Sequence, residues 1–191
     1  MRSKGWIAPL FVIGSVFGLT ILILFISHSI VAGRLEAHVY TVPEEQRLTM
    51  VSDAQSIILR EDIDLLPGVS AVSELFDENG DRIAFVIDAV SSGYDGDVVV
   101  RIAFDDEYRI SVLDVLESAG RPTNLGYRAA SSEFTEQFIG ASSVTVSEKS
   151  TSGTLIKYID GAYYSCAGVY SCVTQAFSQL EQIMQEEEVA Q

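Results

Sequence analysis

From Trp6 to Ala32 the chain contains no Asp, Glu, Lys or Arg, and isoleucine, leucine, valine and phenylalanine dominate the run. At roughly 1.5 Å per residue it can cross a hydrocarbon core of about 30 Å with some tilt. A secretory signal peptide is the competing reading. Its apolar region would be about 7–15 residues long and would end at a small-residue cleavage site. Val31-Ala32-Gly33 is small enough for such a site, but the run before it is nearly twice too long. The expectation is one N-terminal transmembrane helix, uncleaved.

Flanking charge sets its orientation. Arg2, Lys4 and the N-terminal amine precede the run, whereas Arg34 is followed by Glu36 and a strongly acidic remainder. The positive-inside rule puts the short N-terminus in the cytoplasm and everything after the helix on the outer side of the inner (cytoplasmic) membrane. All 27 acidic residues follow Arg34, against nine of the 12 basic ones, so the outer part carries a formal charge of −18. That surface repels nucleic acid and anionic lipid headgroups, so no nucleic-acid partner is expected. The expected organisation is 1–34 for the cytoplasmic N-terminus and anchor, 35–66 for a connecting helix and 67–191 for one folded domain.

Few residues carry obvious chemistry. His28 lies inside the apolar run and His38 just beyond it, so neither a Ser/His/Asp arrangement nor a histidine-based metal set is available. Cys166 and Cys172 are the two cysteines. On one helix, a spacing of six turns them to opposed faces; with Cys166 in a preceding loop a disulfide becomes possible.

The pattern beyond the anchor alternates helix and strand signals. Pro43 to Arg60 reads as helix, with Pro43 at a first helical position, Glu44 and Glu45 in the first turn, and Leu48, Val51, Ala54, Ile57 and Ile58 near a 3.6 period. Leu65-Leu66-Pro67-Gly68 stops it. Val72–Phe76 and Ile83–Ile87 form a hairpin around Asn79-Gly80, and Val98–Phe104 and Arg109–Val115 a second around Asp105-Asp106-Glu107. Ser131 starts a short helix through Phe138, and Ser143–Ser147 is a short strand. From about Gly168 to Glu187 an amphipathic helix carries Val169, Val173, Ala176, Phe177, Leu180, Ile183 and Met184 as its stripe. The fold class is α+β, an antiparallel sheet with a terminal helix.

The order of elements resembles one family, the membrane-anchored FMN-binding subunits of the Rnf complex and of the sodium-pumping NADH:quinone oxidoreductase (RnfG and NqrC). The anchor and first helix lead to Leu65-Leu66-Pro67-Gly68-Val69, similar to that family's LPG element. Phe76-Asp77-Glu78-Asn79-Gly80 is similar to its first hairpin turn, and Ser92-Gly93-Tyr94-Asp95-Gly96 to its GY-G element. Glu117 to Gly126 resembles its EH-ETPGLG loop with one extra residue, and Phe134 to Gly140 its WF-QF-G helix. The resemblance implies an FMN-binding-like domain in an ion-translocating electron-transport complex, a subunit of an oxidoreductase rather than a stand-alone enzyme. Its implied partners are the lipid bilayer and the other membrane subunits.

In that family FMN is joined through its phosphate to the threonine of S-G-A-T-x-S/T at the start of the last helix. Free N–H groups and the positive dipole end favour a phosphate there. The stretch matched here is Ser165-Cys166-Ala167-Gly168-Val169-Tyr170-Ser171, which sets Gly168 at the threonine position and Cys166 at the glycine. Glycine has no hydroxyl, so no phosphoester forms at 168. Leu125 and Gly126 end the matching loop, in which Gly120 and Arg121 replace the family's acid and threonine. Three readings follow: FMN absent, FMN bound non-covalently at the same helix start, or a shifted register with Thr174 of Ser171-Cys172-Val173-Thr174 as acceptor.

Overall fold

The computed structural model describes Gly18, Thr20 and residues 44–118, 125–147 and 152–189. Gly18 and Thr20 are helical; the rest of the apolar run, His28, His38, Gly120 and Arg121 lie outside the described residues. Among the described residues no helix is long and apolar enough to cross a membrane. The chain divides into two compact units, Met1–Thr41 and Val42–Gln191. The second is the α+β domain.

Its frame is a five-stranded antiparallel sheet in which each strand pairs with the next in sequence: β1 (Ser56–Leu59), β2 (Val69–Phe76), β3 (Arg82–Ser92), β4 (Asp97–Phe104) and β5 (Ile110–Ser118). The turns are set by local aspartates. Asp77 Oδ1 accepts from the N–H of Asn79 at 2.8 Å and of Asp81 at 2.9 Å, closing β2 onto β3. Asp105 Oδ1 does the same for Glu107 and Arg109 between β4 and β5. Both expected hairpins are therefore present, with longer strands, and a third hairpin turning at 93–96 joins β3 to β4.

The helix expected over Pro43–Arg60 is corrected. Only α1 (Glu44–Leu48) is helical; turns follow, and Ser56–Leu59 is the edge strand β1. Thr49 Oγ1 donates to the Gln46 carbonyl at 3.0 Å, so a side chain takes up a group that a continuing helix would bond through its backbone. Beyond it, Ile57 and Ile58 are β-branched, and β1 pairs along β2 from Ser56↔Phe76 to Leu59↔Ser73. A helix there would leave the outer edge of β2 unpaired.

After β5 the chain makes a 3₁₀ turn over Leu125–Ala130, then α2 (Ser132–Thr135) and a second 3₁₀ turn over Glu136–Phe138. Ser131 stands at the N-cap of α2 without capping it; its Oγ donates back to the Arg128 carbonyl at 2.6 Å. Strands β6 (Val144–Thr145) and β7 (Thr154–Leu155) pair in parallel.

The terminal helix α3 spans Tyr163–Val189. It starts five residues before Gly168, the expected start, which is the second correction. Its stripe of Cys166, Val169, Cys172, Val173, Ala176, Leu180 and Ile183 packs on one sheet face against Val72, Ile87, Val98, Val100 and Ile102, all fully or nearly fully buried. Each such aliphatic side chain contributes about 1.5–3 kcal/mol. Gly168 lets the helix approach closely: a Cβ there would lie 2.9 Å from Val98 Cγ2 and 3.0 Å from the Ser92 carbonyl. Leu66 N–H donates to Gln179 Oε1 at 2.7 Å, latching the Leu-Pro-Gly element onto the same helix.

Candidate functional site

The start of α3 forms a pocket of about 370 Å³. Its walls come from three separate stretches: Tyr94 in the β3–β4 hairpin, Gly126 in the first 3₁₀ turn, and Gly161 to Ser165. Gly161 holds φ +80°, a conformation that favours glycine, and a Cβ on it would push the Leu125 side chain aside. Ala162 N–H bonds back to Ile159, and the Ala162 carbonyl accepts from Cys166 N at 2.9 Å, which makes Ala162 the residue before the first helical turn. Alanine offers no side-chain cap. The first turn holds no acidic residue.

Polar and aromatic groups meet there. Ser165 is 1% exposed, and its buried Oγ has no hydrogen-bond partner among the described residues. Tyr94 and Tyr164 lie ring to ring at 6.1 Å while both stay about two-thirds exposed. Tyr163 contacts Tyr164 at 5.7 Å and Tyr158 at 5.1 Å. Burial, with smaller contributions from the neighbouring Tyr163, Tyr170 and Cys166, pushes the Tyr158 phenol up to about 12.

The residues expected to form the site are split by the helix. Gly126 and Ser165 line the pocket, and Leu125 packs beside Gly161. Cys166 and Gly168 face the sheet and are buried in the core, and Ala167 is half-buried beside them. Ser171 is half-buried, and its carbonyl accepts from Thr174 Oγ1 at 2.9 Å. Thr174 lines a different groove, of about 410 Å³, with Tyr108, Phe177 and Met184. Both cysteines are free and buried, and burial raises both thiols, Cys172 to about 12.

Gly161, Ala162, Tyr163 and Tyr164 were not among the expected site residues. Counted from the observed helix start, the pattern S-G-A-T-x-S/T falls on Asp160-Gly161-Ala162-Tyr163-Tyr164-Ser165. Glycine, alanine and the last serine then match, Tyr163 stands at the threonine and Asp160 at the first serine. The available signal was Asp160-Gly161, a turn dipeptide placed directly before the helix.

The donor set fits a phosphate and does not fit the family's ester. A helix N-terminus with an unpaired buried hydroxyl beside it suits an anion. Tyr163, 62% exposed, carries its oxygen at the far end of a ring, well away from the backbone N–H groups a threonyl phosphate would occupy. No family model matches this chain, and no curated protein matches it.

Proposed function

We propose that the chain is a subunit of an ion-translocating membrane electron-transport complex of the Rnf or sodium-pumping NADH:quinone oxidoreductase type, without covalent FMN. A single helix over 6–32 holds it in the inner (cytoplasmic) membrane, with the acidic domain on the extracytoplasmic side and other membrane subunits as partners. One observation supports this reading above the rest. Tyr94, Gly126 and Ser165 come from three sequence elements that resemble the family's, and they line one pocket at the start of the terminal helix. If FMN binds there, it supplies one-electron transfer. The chain's own part is then to hold the phosphate by Ser165 and the helix start, and to set the flavin's exposure by Tyr94 and Tyr164.

A second reading is an extracytoplasmic structural or assembly module with no redox role. It is favoured by Tyr163 at the acceptor position and by Gly168 packed against the sheet, neither of which supplies a threonyl oxygen. Two measurements on the full chain separate the possibilities. Intact mass is expected to equal that of the bare polypeptide; an increment of one FMN defeats the absence of a covalent flavin. Native co-purification from detergent-solubilised membranes is expected to bring redox subunits along, and their absence favours the second reading.

A further inference from the structure

We propose that the groove between the β4–β5 turn and the C-terminal half of α3 is a docking site for a partner protein, which enters it with an amphipathic segment carrying Lys or Arg beside apolar side chains. The groove is separate from the pocket at the helix start. Its first residue on α3, Thr174, stands nine positions beyond Ser165, roughly 13 Å along the axis. A partner is expected there whether or not the chain holds a flavin.

Apolar and acidic side chains meet in this groove. Tyr108, Phe177, Leu180 and Met184 line a volume of about 410 Å³ together with Glu107 and Glu181, and no Lys or Arg is among the described residues lining it. Glu107 is already paired with Arg109 at 2.8 Å, whereas Glu181 is exposed and has no cation beside it among the described residues. Thr174, Phe177, Glu181, Met184 and Glu188 recur at steps of three and four, so they share one side of α3. That side runs for about 21 Å, which suits several turns of a partner segment better than a compact small molecule. Glu188 stands in the last turn, where the helix dipole ends negative and the chain supplies no basic residue. The described arginines are already engaged: Arg47, Arg60, Arg82, Arg101, Arg109 and Arg128 each face a carboxylate. With a formal charge of −18 beyond Arg34, the domain attracts a basic partner and repels a second copy of itself.

The second observation is the backbone of Tyr108. The β2–β3 and β4–β5 turns are built alike. Gly80 N–H donates to the Asp77 carbonyl and Asp77 N–H to that of Asp81, as Tyr108 N–H does to Asp105 and Asp105 N–H to Arg109. Gly80 takes the left-handed position of the first turn at φ +83°, and Tyr108 takes it in the second at φ +59°, alone among the described non-glycine residues. Glycine holds that conformation without strain and tyrosine does not. What the strain secures is a ring that stacks on Phe85 at 6.3 Å and gives the groove an aromatic wall from outside α3. Aromatic and thioether walls with carboxylates beside them match the side chains of Lys and Arg, whose aliphatic stems lie on apolar surface while the charged head reaches out.

The test uses the full-length chain in its native membranes, with the photo-crosslinking residue p-benzoylphenylalanine in place of Met184, or in place of the exposed Glu78 of the β2–β3 turn as a control. Irradiation is expected to join position 184, and not 78, to one partner chain. Mass spectrometry of the joined peptide is expected to read a segment in which Lys or Arg residues alternate with apolar ones. Glu181→Lys is expected to cut the yield about tenfold, the scale of one reversed charge contact, and added salt to lower it as well. Glu181 is exposed, so the melting temperature of Glu181→Lys is expected to match that of the unchanged chain, which separates lost docking from misfolding. Tyr108→Gly keeps the turn, removes the aromatic wall and is expected to lower the yield too. Adducts to lipid or to a second copy of this chain, a joined segment without Lys or Arg, equal yields at 184 and 78, or a yield unmoved by Glu181→Lys or by Tyr108→Gly overturns the proposal.

Discussion

The two faces of the sheet are covered in different ways. Under α3 the contact is apolar and close, with Gly168 almost touching β4. The other face is covered by the end of α1 and the turns after it, where Leu48, Met50, Val51 and Ala54, with Ile57 of β1, pack on Leu75, Ala84, Val86 and Ala103. Beside them lies a fully buried ionic cluster, whereas the ion pair that α3 itself makes, Glu187 with Arg82, keeps about a third of both side chains in solvent. Asp88 on β3 is Cα partner to Arg101 on β4 and accepts from it twice, at 2.7 and 3.1 Å. Arg47 of α1 reaches the same carboxylate at 2.8 Å. Their exposures are 2%, 1% and 5%. A small apolar cover leaves room for charge only if each charge is paired, so this face depends on geometry where the other depends on area.

The largest expected effect is on the ionic face. Asp88→Ala leaves two buried guanidinium groups without their carboxylate, and the expected loss is about 3–5 kcal/mol. Urea unfolding of the full chain in detergent measures it. Replacing Arg47, Asp88 and Arg101 together by apolar residues of similar volume should cost far less than Asp88→Ala. A single-mutant loss below about 1 kcal/mol would show that this face is held by its apolar residues alone.

On the α3 face the sensitive position is Gly168. Gly168→Thr adds a β-branched side chain where even a Cβ lies 3.0 Å from the Ser92 carbonyl. Overpacking of this kind costs about 1–3 kcal/mol, against a helix-propensity gain of a few tenths. The same substitution restores a threonine at the position first matched to the family's acceptor. The geometry therefore expects it to destabilise the chain without creating an attachment site, and intact mass together with thermal unfolding checks both halves.

The contrast in covers also explains what was legible in the sequence. The hairpins were, because Asp77 and Asp105 organise their turns locally. The 3.6-spaced residues after Pro43 predict a helix, and Leu48, Val51, Ala54 and Ile57 do turn inward. Periodicity marks four of its five side chains correctly and misplaces Ile58, which is 53% exposed, because an edge strand turns Ile57 and Ile58 to opposite faces where a helix would keep them together. The start of α3 carries no capping side chain, so the first small, hydroxyl-rich stretch drew the motif to Ser165–Ser171. As a result, Leu125, Gly126 and Ser165 were found while Gly161 and Tyr163 were not. Asp88 and Arg101 look like solvent-facing strand charges until the register of β3 against β4 pairs them.

Alkaline pH separates the faces more gently. Burial under α3 raises the Cys172 thiol from 9.0 to about 12. A group whose folded value is raised gives its full stability below the unfolded value and loses it as pH climbs toward the folded one. Stability should therefore fall from about pH 9 upward, by roughly 1 kcal/mol at pH 10 from this thiol alone. Cys172→Ala should flatten that limb. Neither cysteine should react with an alkylating reagent until the chain unfolds, when both should.

The smallest effect tests whether burial, and not merely the pairing of arginine with carboxylate, sets the strength of the Asp88 cluster. At the rim, Arg82 donates to Glu187 near the end of α3 at 2.7 Å and to Glu74 at 3.3 Å, while Arg60 reaches Glu74 at 2.7 Å. The chemistry is the same, but the side chains of Arg82 and Glu187 keep 31% and 35% of their surface in solvent. Water then screens the attraction, and the free side chains lose entropy on pairing. The Arg82 guanidinium holds the Glu187 carboxyl below its usual value of 4.5. A depressed value gives stability that is present above the unfolded pKa and is lost as pH falls through the folded one. Glu187→Gln should therefore cost less than about 1 kcal/mol at neutral pH, become neutral in acid below both values, and shrink further as salt is added. Asp88→Ala should keep its cost in salt, because a buried pair is screened much less. A Glu187→Gln loss as large and as salt-resistant as that of Asp88→Ala would mean that exposure does not distinguish the two networks.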